Sequence, residues 1–166
     1  RREFIGTTAT AGALFVAGGL AARPLFAAQE AGWPNMPDVK IHVVYLGTGG
    51  PWPGPTFDAQ KEVQKFKKYL TGVEKSLGDV KFVGGQLIAN ETSAATQAAA
   101  NIADADALLL VHLSFGSSEP FLKLVDTGLP TAIFSQPFSG HDWMYIPQWQ
   151  KAGKKVILLT SSDYGE

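Results

Sequence analysis

Along most of this chain short apolar runs alternate with helical periods, and that alternation predicts the architecture. The stretch Val39-Lys40-Ile41-His42-Val43-Val44-Tyr45-Leu46 is rich in β-branched and apolar residues and has the length of a strand. Val63, Phe66, Leu70, Val73 and Leu77 then recur at spacings of three and four, the period of a helix with one apolar face. Lys61, Lys65, Lys67, Lys68 and Glu74 fill its other face, and Gly78 supplies a stop. A short second strand is expected over 80–83, followed over 91–103 by a helix of small residues (Ala94, Ala95, Ala98, Ala99, Ala100) suited to close packing on a sheet. Ala107-Leu108-Leu109-Leu110-Val111 is apolar at every position, which marks a central strand covered on both faces. Ser118-Glu119-Pro120 opens a third helix that ends at Gly128. Thr131-Ala132-Ile133-Phe134 is the fourth strand and Val156-Ile157-Leu158-Leu159 the fifth.

Strands separated by helices pair in parallel through right-handed crossovers. Five of them predict an α/β fold, an open doubly wound sheet of the flavodoxin-like order 2-1-3-4-5. Such sheets collect ligands beyond the carboxyl ends of their strands, so the loops there are where chemistry is to be sought.

Ahead of the first strand the pattern changes. Arg1-Arg2-Glu3-Phe4-Ile5-Gly6 is followed by an uncharged stretch rich in Ala, Gly and Thr, with Leu14, Phe15, Val16 and Leu20 among them, and then by Arg23. Paired arginines, a weakly hydrophobic core and a basic residue after it are the signs of a twin-arginine export signal, expected over 1–28. Residues 4–22 are just long enough to cross a bilayer as an anchor, but Gly6, Thr7, Thr8, Thr10 and Gly12 weaken that reading. Phe26-Ala27-Ala28 is the nearest approach to a cleavage triplet. The expectation is therefore a protein exported to the periplasm or beyond, a partner of the twin-arginine translocase during export, and membrane-anchored if the signal stays on. A Pro/Gly linker over 29–38 leads to an α/β domain over 39–166. The chain starts without Met and stops at Ser161-Ser162-Asp163-Tyr164-Gly165-Glu166, just past an apolar run, so the front portion of a longer protein is expected.

Charge narrows the partners. Removing 1–28 takes away Arg1, Arg2, Arg23 and Glu3 and leaves eleven basic and fourteen acidic residues, a net charge of −3. All eleven basic residues are lysines, so the bidentate guanidinium clamp for phosphate and carboxylate is missing. Acidic balance without arginine argues against nucleic acid. The absence of cysteine removes disulfides, thiol catalysis and thiolate metal sites.

Three loops meet the strand ends. In Gly47-Thr48-Gly49-Gly50-Pro51-Trp52-Pro53-Gly54-Pro55-Thr56, the spacing from Gly49 to Gly54 matches a phosphate loop, but Pro55 stands where Lys is needed. The prolines also remove backbone donors, so nucleotide binding is not expected; the loop suits a neutral ligand, a neighbouring subunit or simply a tight connection. Ser114-Phe115-Gly116-Ser117-Ser118 offers hydroxyls for a polyol or carboxylate, although Ser117 or Ser118 serves equally as a helix cap. Gln136-Pro137-Phe138-Ser139-Gly140-His141-Asp142-Trp143 combines amide, imidazole, carboxylate and indole, the furnishing of many sugar sites; Asp142 also suits a helix cap and His141 a turn. His112, near the end of its strand, is a weaker candidate, and His42 reads as structural. Ser139, His141 and Asp142 stand too close in sequence for a nucleophilic triad, there is no G-x-S-x-G elbow, and the three histidines lack metal-ligand spacing.

Ala105-Asp106-Ala107-Leu108-Leu109-Leu110-Val111, then Phe115-Gly116, then Gly128-Leu129-Pro130-Thr131-Ala132-Ile133-Phe134 with Gln136-Pro137, resembles the front half of the L-fucose/L-arabinose isomerase superfamily, over about residues 39–162. The resemblance implies an aldose–ketose isomerase relative, an oligomer, whose divalent metal such as Mn²⁺ is held by a later domain, with no cofactor and no metal residue in this segment. The function expected is an exported sugar-isomerase-like protein whose N-terminal domain binds carbohydrate through Gly50, Trp52, Ser114, Gln136, His141, Asp142 and Trp143. A non-enzymatic periplasmic sugar-binding protein is the alternative, and an interaction domain with Trp52 and Trp143 at a subunit contact is a third reading.

Overall fold

A computed structural model describes residues 38–48, 53–102, 104–115, 118–137, 139 and 142–161. The expected export signal, and the linker apart from Asp38, lie outside the described residues.

Strand β1 (Val39–Leu46) is followed by α1 (Ala59–Leu77), β2 (Val80–Ile88), α2 (Thr92–Ala100), β3 (Ala107–His112), α3 (Ser118–Val125), β4 (Thr131–Ser135), a 3-10 turn (Asp142–Met144), α4 (Ile146–Lys151) and β5 (Val156–Thr160). All five strands are parallel and their order is β2-β1-β3-β4-β5, an open doubly wound α/β sheet as the periodicity predicts. The winding reverses between β1 and β3. Asp106 aligns these two strands at their start: its carboxylate accepts from Lys40 N at 2.8 Å and its own N–H donates to the Lys40 carbonyl at 2.9 Å.

Both faces of the sheet carry a core. On one, α1 lays Val63, Phe66 and Leu70 over Val43, Tyr45, Val111 and Leu113. Phe66 is the hub, meeting Tyr45 edge-on at 6.0 Å and Phe134 at 5.2 Å between ring centroids. α1 begins where Asp58 accepts hydrogen bonds from Gln60 N and Lys61 N, bonds that hold its carboxyl below the ordinary range. It ends at Gly78, whose positive φ of 82° closes the last turn. On the other face α2, α3 and α4 cover Val44, Leu46, Leu108, Leu110 and Ile133 with Ala95, Ala98, Phe121, Leu124, Ile146 and Trp149. The alanines of α2 let its backbone come close to the strands.

Element boundaries differ from the sequence expectation in several places, among them α2, which ends at Ala100 and not at 103. β2 runs nine residues to Ile88 instead of stopping at Val83, because Gly84 and Gly85 form a bulge rather than a break. The register skips one residue there: Gly84 pairs with Val43 and Gln86 with Val44. α3 ends at Val125, with a turn completing the path to Gly128. The expected helix opening at Trp143 is a 3-10 turn that leads into a separate short helix with Pro147 in its first turn.

The bulge glycines are required. Gly84 and Gly85 have φ of 81° and 94°, and a Cβ built on Gly84 would stand 2.5 Å from His42 Nε2. A Cβ on Gly85 would stand 2.9 Å from Lys67 Cε. Gly84→Ala is expected to lower stability by about 1–3 kcal/mol, read as a shift of the urea midpoint. Part of the loss should return in the double variant Gly84→Ala with His42→Ala.

Partial burial of the His42 imidazole pushes its pKa below the ordinary value. A lowered native pKa means that the unfolded chain takes up the proton first as pH falls. Stability is therefore full above about pH 6.5 and is lost below it, down through the lowered native value. The urea midpoint of the wild type should fall more between neutral pH and mild acid than that of His42→Gln.

Candidate functional site

The parallel register sets a row of residues along the carboxyl ends of the strands: Ile88, Leu46, His112, Ser135 and Thr160 stand side by side across the sheet. Two loops at the switch point rise directly above this row, the one after Leu46 and the one after His112. They are stitched together. Thr48 N donates to Ser114 Oγ at 2.8 Å, and Ser114 Oγ donates back to the Thr48 carbonyl at 2.8 Å. Thr48 Oγ1 adds a longer contact to the Phe115 carbonyl at 3.5 Å. Gly47 makes this approach possible, since a Cβ on it would lie 2.8 Å from Ser114 Oγ and 3.2 Å from Leu113 Cβ. Backbone bonds from Gly47 N to the Ile88 carbonyl and from Leu113 N to the Leu46 carbonyl carry the ladder up to the clasp.

Ser114 is fully buried. Its proton is committed to Thr48, so toward a ligand it has only acceptor capacity to offer. Around the neighbouring strand end a second hydroxyl pair is buried, Ser135 Oγ and Ser139 Oγ at 2.8 Å. The tight turn from Gln136 to Ser139 brings them together: Ser139 N donates to the Gln136 carbonyl and Gln136 N to the His112 carbonyl. His112 is 1% exposed, with its ring edge-on to Phe121 at 4.8 Å, so it sits beneath the rim and not on it.

Outside this hydroxyl layer the rim turns aromatic. Phe115, 59% exposed, follows β3, and Trp143, 62% exposed, follows β4 with Met144 beside it at 53%. The short helix that follows Trp143 is anchored in the core. Ile146 and Trp149, one and two turns on, are buried in the core, and Tyr145 stacks on Trp149 at 5.6 Å. Gln136, directly after β4, is half-buried.

Of the seven residues expected to bind substrate, the structure thus places Ser114, Gln136 and Trp143 at the carboxyl ends of β3 and β4. Asp142 lies in the 3-10 turn beside Trp143, with its side chain outside the described residues. Gly50, Trp52 and His141 are outside the described residues. Thr48 and Phe115 were not among the seven, and both touch the clasp. Phe115 carried a signal in the sequence, an aromatic one residue past a strand-end serine; Thr48 carried none that separates it from any loop threonine.

No charged side chain is described in the Gly47–Thr48, Ser114–Phe115 or Gln136–Ser139 segments. Among the described residues no three His, Cys, Asp or Glu converge as a metal site, and His42 and His112 lie in different surroundings, one against Gly84 and one against Phe121. The described residues do not fit a divalent metal. No described helix is long and apolar enough to cross a membrane. No family model, curated protein or solved structure matches the chain.

Breaking the clasp tests its role. Ser114→Ala removes both partners of the Thr48 backbone and should cost about 1–2 kcal/mol of stability, measured as a lowered denaturation midpoint.

Proposed function

We propose that this chain is the N-terminal α/β domain of an exported sugar-isomerase-like protein, and that it contributes a carbohydrate-binding surface at the carboxyl ends of β1, β3 and β4. The observation that carries the proposal is the exposure of Phe115 and Trp143, in the segments that follow β3 and β4, where the described side chains carry no charge. Sugars present apolar C–H faces and hydroxyl edges; the exposed rings of Phe115 and Trp143 answer the first and the Gln136 amide the second, while the serine hydroxyls are bonded within the protein. The all-lysine composition after Arg23 agrees with a neutral ligand, since the rim segments carry no cation for a phosphate. The export signal and the resemblance to the isomerase superfamily supply the rest of the reading. In it the reaction belongs to residues outside this segment, and the domain's part is to bind and orient.

Titration of the full-length protein with a panel of aldoses and ketoses by calorimetry tests this. Trp143→Ala and Phe115→Ala should each weaken sugar binding about 3–10-fold, the loss of one stacked ring, with the fold unchanged by circular dichroism. Unchanged affinity in both variants, or a wild type that binds no sugar, would overturn it.

A further inference from the structure

The Gly84-Gly85 bulge leaves more than an irregular edge on β2. Toward α1 the strand packs Phe82 and Leu87, and between them the two glycines put no side chain. The space stays open as a cavity of about 260 Å³ between strand and helix. Every residue lining it belongs to β1, α1 or β2, three consecutive elements, and none belongs to the rim at the strand ends. Its floor is apolar, made by Val43, Tyr45 and Leu70.

Its two ends carry opposite charges. Lys67 lays its stem across Gly85, where an added Cβ would stand 2.9 Å from Cε and 3.2 Å from Nζ. Among the described residues no carboxylate pairs with this ammonium. Glu74 stands at the other end, where its Oε1 accepts from Phe82 N at 2.6 Å. That bond blocks a backbone donor of the edge strand, and the bulge breaks its register, so the surroundings suit a small molecule better than an added strand. Phe82 and Gly85 are three residues apart on a strand, and Lys67 and Glu74 seven apart on a helix. Both spacings set the two charges on the order of 10 Å apart. The volume lies below the roughly 300–1,000 Å³ of sites for drug-sized ligands, which limits the occupant to a short chain.

We propose that this cavity binds a short ω-amino acid, an unbranched carbon chain with a carboxylate at one end and an ammonium at the other. The carboxylate meets Lys67, the ammonium meets Glu74, and the methylenes lie over Val43, Tyr45 and Leu70. Each ligand charge then finds a protein charge of the opposite sign. An α-amino acid carries both charges at one end and reaches only one of the two partners. The bulge is what makes the site: a side chain at position 85 would occupy the cavity and push Lys67 aside.

Calorimetric titration of the full-length protein with 5-aminopentanoate tests this, with norvaline and pentanoate as isomer and single-charge controls. Wild type should bind 5-aminopentanoate about tenfold or more tighter than either control, the worth of one charge-assisted hydrogen bond. Lys67→Met keeps the stem over Gly85, and Glu74→Gln keeps an acceptor for Phe82 N. Each should weaken binding by about the same factor, with circular dichroism unchanged. Lys67→Arg should retain most of the affinity, and Trp143→Ala all of it, which separates this site from the sugar surface. A wild type that binds none of the ω-amino acids from 3-aminopropanoate to 6-aminohexanoate overturns the proposal. So does equal affinity for norvaline, or binding that survives unchanged in both Lys67→Met and Glu74→Gln.

Discussion

Everything in this fold follows from the need to bury β1 and β3 on both sides. Val43, Val44, Tyr45 and Leu46 are consecutive, yet none is more than 2% exposed. Successive side chains of a strand point to opposite faces, so four buried neighbours require cover above and below. Parallel strands joined by crossovers meet that need by sending helices to both faces. Here α1 goes to one face and α2 through α4 to the other. The reversal of winding that this division forces falls between β1 and β3. The loops after those two strands part there in most sheets of this kind, and here the Thr48–Ser114 hydrogen bonds close them over the row of strand ends. The position of the candidate site is thus a consequence of how the core is covered.

What could be read from the sequence divides along the same line. β1, β3, β4 and β5 were legible almost to the residue, because uninterrupted apolar runs leave a buried strand little freedom of boundary. β2 was cut short at Val83, since two glycines in a row look like a break when the partner strand is unknown; the bulge exists only because β1 runs alongside and His42 and Lys67 occupy the space two side chains would take. Ser114 stood out as a strand-end hydroxyl, and that much was visible. Its bonds to Thr48 cross 66 positions of sequence, and no local pattern encodes them. Trp143 was visible as an aromatic near a strand end. That it is exposed while Ile146 and Trp149, a few residues on, are buried is a matter of three-dimensional packing.

Two devices share the bulge. It lets His42 and Lys67 cross β2 on close terms with the backbone, and it roughens the edge that β2 presents to solvent. No equivalent device roughens β5. An uncharged five-residue edge with Ile157 and Leu159 half-exposed is a standing invitation to another strand, which sheets of stable monomers usually guard against.

The rim separates positioning from recognition by depth. The Ser114 hydroxyl is held to Thr48, the Ser135 and Ser139 hydroxyls to each other, and His112 lies under Phe121, so the buried polar groups are engaged within the protein. Buried polar groups with partners rigidify what lies above them. Above them stand Phe115 and Trp143, large apolar side chains whose exposure costs solvation and gives the folded domain nothing in return. Exposed apolar residues gathered at one end of a sheet, on a base made rigid by saturated hydrogen bonds, are what a contact surface needs: a fixed platform and area left to bury. On that reasoning the sugar proposed above would meet the outer layer, Phe115, Gln136 and Trp143. The inner serines hold that layer in place, and their loss would register in stability before it registered in binding.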